Sequence, residues 1–85
     1  IIEIGDPPLY TTTGSVTLSG EVVDSDGIEL ISVYVGDDKV ALLPSSETQV
    51  PLTLELKLEE EMNLITIIAK DTKGLLSKQS FVIRK

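Results

Sequence analysis

"VPLTLELKL", residues 50–58, decides the fold: Leu52, Leu54, Leu56 and Leu58 recur at every second position, with Thr53, Glu55 and Lys57 between them. Successive side chains of an extended strand point to opposite sides, so this stretch has one greasy face and one wet face. Leu and Glu also form helices well, and the adjoining "LEEEMN" has the residues for one turn. A helix, however, repeats every 3.6 residues and would wind these leucines around its axis. Strict alternation fits only period two, and the stretch is therefore a strand.

The same period runs outward in both directions. In "SVTLSGEVVD" Val16, Leu18 and Val22 share a face, with Thr17, Ser19 and Glu21 turned away. "ELISVYV" sets Ile31, Val33 and Val35 opposite Ser32 and Tyr34. "NLITIIAKD" is apolar on both sides, Ile65, Ile67 and Ala69 against Leu64, Thr66 and Ile68, as a centrally placed strand requires. "SFVIR" reads as the last strand. Turn signals "DSDG", "GDDK", "LPSSET", "EEEMN" and "DTKG" separate these runs at intervals of roughly ten residues, the spacing of a sandwich or barrel. Ahead of them, residues 1–14 form a loose N-terminal segment. Its Pro7-Pro8 pair forbids a central strand, and Ile2 to Ile4 are expected to make a short edge pairing. Pro51 stands where a strand begins.

Length and composition limit what such a chain does. Its 85 residues make a single domain, 1–85, and 41% hydrophobic content supplies one core of mostly Val, Ile and Leu. A domain of this size buries only about 60–65% of its unfolded surface, which sets its stability on the order of 5 kcal/mol. There is no cysteine, hence neither a disulfide framework nor a thiolate site. No apolar run approaches the ~20 residues that span a bilayer, so membrane insertion is not expected. The chain does not begin with Met, and the expectation is a segment excised from a larger protein. Net charge is −7, with eight acids and no base in residues 1–38, then six acids and seven bases. That sign argues against nucleic acid and anionic lipid, and keeps the domain soluble and monomeric when isolated.

The aspartates of "DSDG" and "DTKG" are the candidate chemistry. A helix–loop–helix calcium loop counted from Asp24 needs an oxygen ligand at its fifth position, Gly at the sixth and Glu at the twelfth. Ile28, Glu29 and Val35 stand there instead. In a sandwich the loops after the second and sixth strands share one end, which makes Asp24, Asp26 and Asp71 the candidate calcium ligands. The simpler reading is structural: Asp side chains bond backbone amides two residues on, and Gly supplies positive φ, so both stretches close strands as Asx turns while "GDDK" makes a hairpin. No metal and no cofactor are expected on that reading. Catalysis has no constellation to work with, since the chain has no His and no Cys, its serines have no base partner other than Lys, and it holds no phosphate loop. Sugar binding favours exposed aromatic platforms, and Tyr10, Tyr34 and Phe81 are the only aromatics, with no Trp.

Taken together, "VTLSGEVVDSDGIELISVYVGDDKV" and "LELKLEEEMNLITIIAKDTKGLLSKQSFVIRK" resemble bacterial immunoglobulin-like domains. Asn63, Ile65, Ile67, Ala69, Asp71 and Gly74 match their "N-x-I-x-I-x-A-x-D-x-x-G" pattern, and the likeness runs from about Val16 to Arg84. The Gly usual before that Asn is absent, and "EEEM" fills the turn. More narrowly, the chain resembles tail domains of bacterial carboxyl-terminal processing proteases, whose "S-x-x-x-F-x-x-R" ending is matched by Ser77, Phe81 and Arg84. Similar domains follow glycoside hydrolase modules and surface proteins. The resemblance implies an all-β, two-sheet immunoglobulin-like or fibronectin-III-like sandwich of about seven strands. It further implies a non-catalytic accessory domain of an exported bacterial enzyme, periplasmic or extracellular, any catalytic serine and lysine lying in the parent's catalytic domain. The expected partners are that domain and a protein or peptide added along an exposed strand edge, residues 37–43. The alternative is a calcium- or carbohydrate-binding module of a surface protein or glycoside hydrolase.

Overall fold

The computed structural model describes residues 2–4 and 14–84. The Pro7-Pro8 pair, Tyr10 and the other residues of 5–13 lie outside the described residues. Seven strands and no helix occur among them: β1 (Ile2–Ile4), β2 (Ser15–Val23), β3 (Ile28–Val35), β4 (Asp38–Pro44), β5 (Gln49–Lys57), β6 (Met62–Asp71) and β7 (Leu76–Arg84). β1 has three residues, and the other six carry the architecture. They form two antiparallel sheets, ordered β1-β2-β5 and β4-β3-β6-β7. The chain therefore changes sheet three times, at β2–β3, β4–β5 and β5–β6.

Period-two patterning explains why the two sheets stack. Each long strand has one apolar face that water disfavours, and face-to-face packing removes both sets at once. The buried set is Val16, Leu18 and Val22 of β2, Ile28, Ile31 and Val33 of β3, Leu52 and Leu56 of β5, and Leu58 just past it. β6 adds Ile65, Ile67 and Ala69, and β7 adds Ile83. Leu54, in the middle of the stretch that decides the fold, is only partly buried because β5 is the margin of its sheet.

Two bulges adjust the register. Ile28 pairs with Asp71 and Leu30 with Lys70, which leaves Glu29 as an extra residue. Ile28 and Ile31, three positions apart, thereby both enter the core. In β4, Ala41 opposes Val33 and Lys39 opposes Tyr34, so Val40 is the unpaired residue of a second bulge. The two-residue β3–β4 turn begins with Gly36 at φ +61, a conformation that suits glycine at the first turn position. Both edge strands on this side carry a proline, Pro44 closing β4 and Pro51 within β5, where a missing N–H removes no bond of a central ladder.

Three local readings change. β6 does lie between β3 and β7, yet its outer face is incompletely covered, with Thr66 buried and Leu64 48% exposed. β7 begins at Leu76 rather than with "SFVIR", because Ser77 and Leu76 complete the ladder with Ala69 and Lys70. The "EEEM" stretch is no hairpin turn, since β5 and β6 belong to different sheets. Asn63 holds that crossing: buried at 3% exposure, its amide nitrogen donates to the Glu60 carbonyl at 2.8 Å and, at greater length, to that of Ile83.

Ile67→Ala should cost about 2–5 kcal/mol, because the cavity adds to the lost transfer energy. In a domain stable by about 5 kcal/mol this leaves a large unfolded fraction. Urea melts should place Thr53→Ala, on the exposed face of β5, within about 0.5 kcal/mol of the parent.

Candidate functional site

At one end of the sandwich the β2–β3 and β6–β7 turns meet, and the geometry follows from the aspartates. Asp24 accepts the Asp26 amide through Oδ1 at 2.8 Å, an Asx turn, and Gly27 follows at φ +95. Asp71 accepts two amides on one oxygen, from Lys73 at 2.9 Å and Leu75 at 2.8 Å. The turns are then tied to each other. Thr72 donates its hydroxyl to the Asp26 carbonyl at 2.6 Å and its amide to that of Gly27 at 3.1 Å. On the other side, the amides of Asp24 and Ile28 donate to Thr48 and Glu47, both at 2.8 Å. Three corners of the chain are thus pinned in one layer.

The structure brings all three candidate calcium ligands together: one carboxylate oxygen each from Asp24, Asp26 and Asp71 lies within 4.8 Å of the others. Calcium takes 6–8 oxygens. Here the carboxylates already serve donors of the protein itself: two amides for Asp71, one for Asp24, and for Asp26 the Lys73 ammonium at 3.2 Å. That ammonium neutralises part of the charge a metal would meet. Asp71, 5% exposed, is the member whose loss leaves two turn amides without their acceptor. These bonds give Asp24 and Asp71 a turn-locking role.

A second feature lies at the opposite end, and the individual sequence motifs do not announce it. The β3–β4 turn, the last residues of β5 and the β5–β6 crossing enclose a cleft of about 630 Å³. Asp37, Asp38, Glu55, Glu59 and Glu60 border it, with Lys57 as the one base. Its apolar lining includes Val35, Val40, Leu56 and Met62. The signal was present as two acidic turns, "GDDK" and "LEEEM", two strands apart. Sandwich topology places alternate turns at the same end, and only the paired strands show that these two converge.

Beside the cleft, β4 is the edge of the four-stranded sheet. It is largely exposed, with Val40 at 49% and Leu42 at 50%, while Ala41 and Leu43 pack against the core. Tyr34 is half-buried on the outer face, and the Lys39 ammonium sits 5.6 Å from its ring centre. Phe81 packs against the core. Tyr34 and Phe81 are thus both partly buried.

Strand order, crossings and core define an all-β sandwich of the immunoglobulin-like, fibronectin-III-like type. Among solved structures, the fibronectin(III)-like modules of Clostridium thermocellum CbhA match this chain with a TM-score of 0.71 at 21% identity, over 99% of this chain and 94% of theirs. No family model and no curated protein matches the sequence.

If the aspartates lock turns, melting in millimolar calcium and in chelator should give the same Tm. A micromolar calcium site would instead add about 4 kcal/mol under those conditions. Asp71→Ala should cost about 2–3 kcal/mol, since two amides of the β6–β7 turn lose their acceptor. The Lys73–Asp26 pair is solvent-exposed, so Lys73→Ala should change stability by less than about 1 kcal/mol.

Proposed function

We propose that this chain is a non-catalytic accessory module of an exported bacterial enzyme, and that it binds an extended peptide segment along β4. The observation that carries the reading is the β4 edge itself. It is a seven-residue strand at a sheet margin, exposed on its outer side and interrupted by one bulge. An edge of this kind pairs with a visiting strand through backbone hydrogen bonds, while pockets for alternate side chains give selectivity. Such a partner is a segment of the parent enzyme's own substrate or of its catalytic domain, and the rigid sandwich acts as spacer and orienting surface.

A location in the periplasm or outside the cell is supported by the fold likeness to modules of CbhA. The closing "S-x-x-x-F-x-x-R" run favours a carboxyl-terminal processing protease as the parent. A calcium module is the second reading, on the strength of the three clustered carboxylates, and the calcium melt separates it from the first.

Val40 offers a clean test. As the extra residue of the bulge it has no register partner on β3, and Val40→Pro alters the strand backbone at the point where a visiting segment would pair. Capture of extended peptides from a random library should fall several-fold in Val40→Pro, with a urea melt to check that the variant folds. Equal capture by both proteins refutes docking on this edge.

A further inference from the structure

We infer that the cleft beside the β4 edge selects segments in which Lys or Arg flanks an apolar side chain; this rests on the edge-docking reading and gives its partner a chemistry. Charge is the first argument. Asp37, Asp38, Glu55, Glu59 and Glu60 face the cleft against Lys57 alone, and all six are exposed. The ion pairs among the described residues, Lys70–Glu29 and Lys73–Asp26, involve none of these five carboxylates. Lys57 offsets one of these charges, water and counterions screen the rest, and an incoming cation lowers their repulsion directly.

Apolar surface at the same place is the second argument. Val40 is 49% exposed and Met62 62%, both at the cleft, with Leu56 buried beneath. A purely acidic rim would attract any cation, including free ions. Carboxylates set around exposed Val and Met suit a longer side chain whose aliphatic stem lies on the apolar lining while its charged head reaches the rim. Lys and Arg have that form. Met adds an adaptable surface that accommodates different apolar neighbours.

Position is the third. The cleft is lined by Asp38 and Val40, which belong to the strand whose edge is open, so a segment paired with β4 delivers its side chains into the cleft without a further turn. An acidic segment on the same edge would meet four uncompensated charges.

The test uses two short fluorescent peptides, one alternating Val with Lys and one alternating Val with Glu, titrated into the intact domain. The Lys peptide should bind at least about tenfold tighter at low salt and lose that advantage as screening rises. Glu59→Gln/Glu60→Gln should cut the preference several-fold. Glu29→Gln/Glu47→Gln, which removes the same charge elsewhere, should leave it. All four side chains are exposed, and urea melts check that both variants fold. Equal binding of the two peptides, or an equal loss in both variants, overturns selection by the cleft and leaves the edge reading standing. Binding of neither peptide overturns both.

Discussion

Everything in this domain depends on one layer of Val, Leu and Ile side chains held between two sheets. The described residues form one core cluster, with no buried ion pair among them to supplement it, and the chain has no cysteine for a disulfide. Fully burying one such side chain is worth roughly 1.5–3 kcal/mol, so a single layer must be filled well to outweigh the entropy of ordering the chain. Ile31, Val33, Ile65, Ile67 and Ile83 are wholly shielded from solvent. Four of these five are isoleucine, a stiff, β-branched residue that fits a pleated surface in few rotamers.

A layered core forces the chain to cross from sheet to sheet, and each crossing breaks the ladder that satisfies backbone donors. Among the described residues, two of the three buried polar side chains stand where a ladder ends, Asn63 at a crossing and Asp71 at the β6–β7 hairpin, while Thr66 lies within β6. Asp71 takes up the amides of the β6–β7 turn, and Asn63 anchors the β5–β6 crossing to Glu60 and Ile83. Asp24 does the same between β2 and β3 from a less buried position. Turn chemistry and packing are thus one problem: a sandwich this small retains its layer only if its corners are fully hydrogen-bonded.

How far the sequence discloses this varies with the kind of information. Alternation in "VPLTLELKL" and "ELISVYV" is a local property, so strands, faces and core residues could be read directly, and the Asx turns of Asp24 and Asp71 likewise depend on neighbours within four positions. What could not be read depends on separation. The Glu29 and Val40 bulges exist only relative to a partner strand, and the exposed outer face of β6 reflects what does not cover it. The meeting of Asp24, Asp26 and Asp71 was legible because one assumed topology determined it, but the Lys73 ammonium beside Asp26 was not. The acidic cleft joins residues about twenty positions apart, which no window along the chain contains.

Pro44 and Pro51, together with the Val40 bulge, shorten what each margin can offer. A long flat border of unpaired amides would let copies zip together into fibrils. Here a regular run of β4 extends only from Ala41 to Leu43 before proline ends it, and the acidic pair Asp37 and Asp38 stands at its start. Short, proline-ended margins of this kind work against sheet-to-sheet pairing of copies.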